Sequence, residues 1–201
     1  MTAYEQRGGN TTFDLRLRRR PFFLYPGGEH TISAWGDRLD ALYPGGRSSI
    51  RSLGERAGYA FNFDAPLSDT MDSHRLVLWA DSQMAGHGEA VAQAIGIEYF
   101  ERARRLDDRE MLCACAADVG LDPAAARRHL ESADGYQEVH DSVAAHLRMG
   151  ISSIPVYIFR SAGHEAVVHG SADVRRFGEV LDAILASTVA SAARAPGRDE
   201  L

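Results

Sequence analysis

The sequence has no lysine, little cysteine and no long hydrophobic run. All 22 basic residues are arginine, which excludes a lysine nucleophile or a Schiff-base lysine. The two cysteines are too few for the disulfide-stapled scaffold of a small secreted domain. No apolar stretch reaches the roughly 20 residues of a membrane span, and residues 1–10 lack the pattern of a signal peptide. We therefore expect a soluble, cytoplasmic protein with no membrane partner.

Size and charge set further bounds on the class of protein. With 201 residues, 45% of them hydrophobic, the chain can bury a substantial core. A net charge of −6 does not favour a nucleic-acid partner. The last four residues, Arg198 to Leu201, resemble an ER retention signal. The ER lumen would therefore apply only if a signal sequence is missing upstream of Met1.

The hydrophobic pattern predicts strands at both ends of the sequence and helices between them. Phe13, Leu15 and Leu17 alternate with polar residues, which is typical of a strand with one buried face. Two short strands, 155–160 and 165–169, are predicted around a turn that contains Gly163. An amphipathic helix is expected over 171–186. This order favours a mixed sheet with a helical insertion.

Capping residues mark the helices of the predicted insertion. Asp69 is placed to cap one helix, and a second is predicted over 88–104. Asp107 and Glu110 have the spacing of a capping box for a third. Further helices are predicted to open at Asp122-Pro123 and at 134–135.

The dipeptide Ile154-Pro155 is the most informative local feature. Proline removes a donor from a sheet ladder, so it belongs at the start of a strand or on an edge. A tight bend before a strand is also where an X-Pro bond is most often cis. The residues leave two interpretations open: a trans proline that starts a strand, or a cis proline that leaves the Ile154 backbone free to pair with an extended ligand.

The side chains that could carry chemistry do not form a recognisable catalytic or metal-binding set. Cys113 and Cys115 point ~160° apart on a helix, so they cannot form a relaxed disulfide with each other. Cys115 is expected to be buried and Cys113 partly exposed, with a catalytic role for Cys113 the minority interpretation. The spacing of the histidines predicts no metal site. For His74 and Arg75, a solvated, capping role is favoured over contact with a polar ligand.

Four segments occur together in an order that resembles the DsbA-like thioredoxin-fold proteins. They are Arg20-Pro-Phe-Phe-Leu24, Thr70-Met-Asp-Ser-His-Arg-Leu76, Asp107-Asp-Arg-Glu-Met-Leu112 and Gly150-Ile-Ser-Ser-Ile-Pro-Val-Tyr-Ile-Phe159. The similarity is greatest to the FrnE-like branch, which is related to 2-hydroxychromene-2-carboxylate isomerases and kappa-class glutathione transferases.

The resemblance implies an α/β fold, a thioredoxin-like mixed sheet with an inserted all-helical subdomain. It implies thiol–disulfide exchange as the family activity, Pro155 as the cis-proline beside the active site, and pairing of Ile154 with an extended peptide or thiol substrate. His74 and Arg75 are added to the expected substrate-binding residues. No metal is expected, and glutathione is the one cofactor left open, as is a homodimer.

The sequence departs from this family in one respect. The family begins with a strand, a Cys-x-x-Cys turn and a helix, and the sequence contains no Cys-x-x-Cys. We therefore expect an N-terminally incomplete fold without catalytic residues. The expected division is an irregular segment over 1–12, a sheet domain formed by 13–30 and 150–186, a helical insertion over 31–149 and a tail over 187–201.

Three functions follow from this resemblance. The first is a disulfide oxidoreductase whose N-terminus is absent from this sequence, by truncation or a misplaced start, so that its dithiol exchange is impaired. The second is a non-catalytic thioredoxin-fold module that binds peptides. The third is a glutathione-linked isomerase or transferase, which needs no second cysteine.

Overall fold

A computed structural model describes residues 15–24, 34–43, 45–161, 163–171 and 174–194 of the chain. These residues form helices α1 (Trp35–Leu42), α2 (Gly46–Ala57), α3 (Met71–Gln83), α4 (His87–Phe100), α5 (Arg109–Asp118), α6 (Pro123–Glu131), α7 (Tyr136–Arg148) and α8 (Val174–Arg194), and strands β1 (Val156–Ser161) and β2 (His164–His169). None of these helices is both long enough and apolar enough to cross a membrane.

The chain divides into two compact units. Of the described residues, those within 16–145 form the larger unit, and Leu15 together with those from 146 onwards forms the smaller unit. The larger unit is helical wherever its described residues have regular structure, apart from one isolated bridge between Ala34 and Pro66. The domain boundaries expected from the sequence stay a prediction.

Helix α5 of the larger unit contacts α3, α4 and α6. Because it has helices on several sides, five of its ten residues are apolar and buried. The core is formed by Leu76, Ala80, Val91, Ile95, Met111, Leu112, Cys113, Cys115, Ala116, Ala126 and Leu130.

Capping residues start two of these helices. The prediction at Asp122-Pro123 is confirmed, since the Asp122 carboxylate accepts a hydrogen bond from the Ala124 N–H and Pro123 is the first residue of α6. The predicted cap at Asp107 is wrong by one residue. Asp108 caps α5 and accepts from the Met111 N–H, whereas the Asp107 carboxylate pairs with Arg105.

The smaller unit is built around the predicted hairpin, which is confirmed. Strand β1 pairs antiparallel with β2, from Val156 opposite His169 to Ser161 opposite His164. Helix α8 covers one face of the hairpin, where the Phe177 ring lies 4.8 Å from that of Tyr157 and 6.1 Å from that of Phe159 between centroids. Val168, Val180 and Ile184 form the core of this unit.

The predicted strand at the N-terminus is not observed. Residues 13–14 lie outside the described residues, and Leu15 to Leu17 belong to no strand. Two arginines that follow this segment pair with helices instead. Arg18 lies 3.8 Å from Asp81 of α3, and Arg19 donates two hydrogen bonds to Glu89 of α4.

Helix α8 extends further than the sequence pattern predicts. It continues to Arg194 through the alanine-rich residues in which we expected the tail to begin at residue 187. Alanine has the highest helix propensity of all residues, so this composition favours a longer helix even without an apolar stripe. Residues 195–201, which include the retention-like ending, lie outside the described residues.

Candidate functional site

The bond between Ile154 and Pro155 is cis. Pro155 immediately precedes β1, and its carbonyl accepts a 2.8 Å hydrogen bond from the Gly170 N–H just after β2. This bond closes the open end of the hairpin, which fixes Pro155 to the strand that follows it. The proline thus stands at the start of a strand, where its missing N–H costs no ladder bond.

Ile154 lies in the smaller unit and is partly exposed. Its side chain is 50% exposed, and no backbone hydrogen bond links Ile154 to another described residue. The sheet of the described residues consists of β1 and β2 alone. Within those residues, the edge of β1 that faces away from β2 therefore carries no paired strand, and an extended segment can add to such an edge.

The two cysteines lie in the core of the larger unit. Cys113 is 4% exposed and Cys115 is 1% exposed, so the prediction that Cys113 is partly exposed is wrong. Helices pack on several sides of α5, and both of the faces that carry cysteine are therefore covered. The Cys115 thiol lies 3.5 Å from the Met111 sulfur.

Burial also makes both thiols poor nucleophiles. Loss of hydration disfavours the thiolate and raises the pKa of Cys113 above its ordinary value. The same cause raises the pKa of Cys115 to about 11. Because the thiolate is the attacking species in disulfide exchange, neither cysteine has the environment of a catalytic one.

Arg75 is fully buried in the larger unit, so the solvated role favoured by the sequence is wrong for this residue. Its guanidinium donates to the Asp72 carboxylate at 2.6 Å and to the backbone carbonyls of Leu130, His129, Ser132 and Asp134 at 2.7–3.2 Å. The five N–H donors of an arginine are thereby all used. Its Cζ also lies 4.1 Å from the centre of the Tyr136 ring.

These bonds give Arg75 a structural role between helices. The accepting carbonyls belong to the end of α6 and the turn before α7, where the last carbonyls of a helix have no partner within the helix. Arg75, on α3, satisfies them and fixes the path of the chain into α7. The substrate contact predicted for Arg75 stays a prediction, but no donor remains for it in this conformation.

His74 is half-buried beneath the segment 15–24. Its ring lies 5.7 Å from that of Phe23, and the Phe23 ring lies 5.9 Å from that of His140. Burial lowers the pKa of His74, although a hydrogen bond with the Phe22 backbone and the charge of Asp69 oppose this shift. His74 is therefore packed against the Phe23 ring rather than fully solvated.

The predicted site residues fall into both units. Ile154 and Pro155 belong to the smaller unit, whereas His74, Arg75 and both cysteines belong to the larger one. Among the described residues, no three His, Cys, Asp or Glu side chains are placed to hold a metal ion.

Sequence reasoning missed the partners of Arg75. The Asp72 carboxylate bridges two arginines, since its second oxygen accepts from Nε of Arg109 at 2.6 Å. The spacing of Asp72 and Arg75 places them on one helical face and could have indicated the first ion pair. Nothing in the local sequence indicates the contact with Arg109, which lies two helices further on.

The sequence was compared with protein families and with curated proteins. A family model described as DSBA-like thioredoxin domain matches residues 3–182. No curated protein matches the sequence.

Two solved structures illustrate the similarity in fold. A probable DsbA oxidoreductase from Streptomyces coelicolor is 24% identical, with a TM-score of 0.67 over 83% of this chain and 74% of that one. The cytosolic disulfide reductase DsbM from Pseudomonas aeruginosa is 17% identical, with a TM-score of 0.51 over 75% of this chain and 76% of that one. The predicted fold class, thioredoxin-like α/β with a large helical part, is thereby confirmed.

Proposed function

Because the chain belongs to the DSBA-like thioredoxin domain family, we propose that it is a member of the thiol–disulfide oxidoreductases that is impaired in dithiol exchange. In this proposal it binds an extended peptide or a thiol substrate through the backbone of Ile154, and it belongs to the FrnE-like branch. The four segments quoted above support that branch.

The state of the two cysteines carries the proposal. Exchange requires a thiolate that can reach a disulfide sulfur and a leaving thiolate that can be released. Cys113 and Cys115 are buried in the helical core, and burial raises the pKa of each thiol. The 201-residue chain has no other cysteine, so it offers no competent nucleophile for this reaction.

The binding half of the proposal depends on the backbone around Ile154. Its half-exposed side chain, and the edge of β1 that has no paired strand among the described residues, are suited to a ligand that pairs by main-chain hydrogen bonds. Recognition of this kind depends little on the side chain of the pairing residue. Peptides of many sequences should therefore bind.

Insulin reduction with dithiothreitol as the reductant tests the impaired exchange. We expect the chain to leave the rate of insulin precipitation at that of dithiothreitol alone, because neither thiol can attack the insulin disulfides. Cys113→Ala and Cys115→Ala serve as matched variants and should behave like the unmodified chain. Clear acceleration that Cys113→Ala removes would show that Cys113 is a nucleophile and would overturn the proposal.

Peptide titration tests the binding half separately. The probe is carboxymethylated insulin B chain, which has no free thiol, and the readout is the set of backbone amide NMR resonances. We expect saturable shifts at Ile154 and along β1, and Ile154→Ala should keep the affinity within about threefold because the contacts are to the backbone. The absence of any shift at 154–161 would refute peptide binding there. Saturable binding of glutathione in its place would support a glutathione-linked function.

A further inference from the structure

A cavity of about 500 Å³ lies within the larger unit, at the N-terminal ends of α3, α5 and α7. The proposed function does not involve this cavity. It is lined by Asp69, Met71, Asp72, Arg105, Asp107, Arg109 and Tyr136. Its volume lies in the usual range for small-molecule sites. Because all seven residues belong to residues 16–145, the cavity is complete within this unit.

The acidic side chains of the cavity are already engaged by the protein. Both oxygens of Asp72 are bonded, one to Arg75 and the other to Arg109. Both oxygens of Asp107 accept from Arg105, at 2.8 and 2.6 Å. One oxygen of Asp69 accepts from the Met71 N–H at 2.8 Å. Five of the six carboxylate oxygens therefore have a donor, which makes the cavity a poor cation site.

The arginine side chains of the cavity, in contrast, have hydrogen-bond donors that no described residue accepts. Toward other described residues, Arg109 donates through its Nε, and Arg105 donates through its Nε and Nη2. Among the described residues, no acceptor is bonded to either terminal nitrogen of Arg109 or to Nη1 of Arg105. The Arg109 side chain is 43% exposed and that of Arg105 is 51% exposed, so solvent and small solutes reach these nitrogens.

These observations favour a ligand that supplies hydrogen-bond acceptors with a single negative charge. The two terminal nitrogens of a guanidinium form a planar fork that matches the two oxygens of a carboxylate. Counting Arg75, which lies behind Asp72, the three positive guanidinium groups equal the three carboxylates in number. Because the net charge of the site is then close to zero, a ligand with one negative charge is accommodated more readily than one with two. Met71 adds an apolar wall for the organic part of such a ligand.

We propose that this cavity binds a small organic monocarboxylate, whose carboxylate is held by Arg109 and Arg105. The ligand would accept from the terminal nitrogens of Arg109 while Nε of the same residue stays on Asp72. The hydrogen bond from Nε of Arg109 to Asp72 would therefore hold the Arg109 side chain in position for the ligand. This inference is independent of the peptide-binding surface at Ile154.

Titration of the full chain with sodium butyrate at constant ionic strength tests the proposal, with butyramide as the neutral probe of nearly equal shape. Binding is followed by the amide NMR resonances of residues 70–72, 109–111 and 136–138. We expect saturable shifts with butyrate, and at least tenfold weaker binding of butyramide and of inorganic phosphate. Equal binding of butyramide, tighter binding of phosphate, or no saturable shift would overturn the proposal.

Variants of the two arginines locate the site. Arg109→Lys keeps the charge and removes the planar fork, so it should weaken butyrate binding at least fivefold. Arg105→Gln should weaken butyrate binding at least twofold. Because Arg105 is exposed, this variant should fold and can test the site even if Arg109→Lys unfolds. Arg102→Gln is the matched control, because Arg102 pairs with Glu98 away from the cavity, and it should bind as the unmodified chain does. Unchanged affinity in Arg105→Gln, or in Arg109→Lys where that variant folds, would contradict the proposal.

Discussion

Arg75 shows at the level of a single residue how a buried charge is made tolerable. Its side chain has no exposed surface, and all five of its N–H groups donate to Asp72 or to backbone carbonyls. A buried ion pair is weak evidence for stability by itself, since desolvation of both ions offsets their attraction. The removal of one partner is costly, however, because the other is left buried without compensation.

Arg75→Ala is therefore expected to lower the free energy of unfolding by about 3–5 kcal/mol. It removes a donor from four backbone carbonyls, of which that of His129 keeps the Ser132 hydroxyl, and it leaves Asp72 with one partner fewer. The measurement is chemical denaturation followed by circular dichroism. Arg128→Ala is the matched control, because Arg128 is 70% exposed and lies 3.7 Å from Asp122, and it should cost about 0–1 kcal/mol. Equal effects of the two variants would refute the structural role of Arg75.

The buried thiol of Cys115 predicts a pH dependence of stability. Its pKa is raised from 9.0 to about 11 in the folded protein, so the folded state keeps a proton that the unfolded state releases. Stability from this residue is present below about pH 9 and is lost as the pH rises towards 11, by roughly 2–3 kcal/mol. The chain has no lysine to titrate in the same range.

The measurement is the free energy of unfolding at several pH values between 8 and 11, in the unmodified chain and in Cys115→Ala. The variant should be less stable at pH 8 because of the cavity that it creates. Its stability should then fall less steeply with pH than that of the unmodified chain. Parallel pH profiles would contradict a raised thiol pKa.

At the level of elements, two glycines show how backbone approach decides what a position tolerates. A Cβ on Gly36 of α1 would lie 2.6 Å from the Phe63 Cβ and 2.7 Å from the Phe63 carbonyl oxygen. A Cβ on Gly96 of α4 would meet nothing within 4 Å. Gly36 is therefore required because no side chain fits beside Phe63, whereas Gly96 has room for a side chain and only lowers the stability of its helix.

Gly36→Ala and Gly96→Ala form a matched pair of helix substitutions. We expect Gly36→Ala to destabilise the protein by about 1–3 kcal/mol, because the Phe63 backbone must move. Gly96→Ala should stabilise it by up to about 1 kcal/mol through helix propensity. Thermal unfolding should give shifts of opposite sign, and shifts of the same sign would contradict the close approach of Gly36 to Phe63.

The sequence correctly predicted those helices and turns that are determined by interactions between residues close together in the sequence. The Asp122-Pro123 start of α6 and the hairpin around Gly163 follow from capping and turn chemistry that act within a few residues. The predicted strand at Leu15 to Leu17 failed because the same alternation also suits a segment whose arginines pair with Asp81 and Glu89. Those partners lie some 60–70 residues away in the sequence, where no local pattern indicates them.

At the scale of the whole molecule, the candidate site was predictable only in part. The segment around Pro155 has a distinctive sequence, and the structure places Pro155 immediately before β1. The burial of Arg75 and Cys113 was not predictable, because it depends on how α3, α5 and α6 pack together. Residues of one type can be solvated or fully buried according to that packing alone.

The central claim is that the folded chain has no thiol able to enter disulfide exchange. The most direct test is to incubate the native protein with excess oxidised glutathione at pH 7.5 and to follow its intact mass. In exchange, a protein thiolate would form a mixed disulfide and release glutathione thiolate. We predict no adduct on the native chain and two adducts after unfolding in guanidinium, one for each cysteine. An adduct on the native chain, formed about as fast as on the unfolded one, would contradict the account.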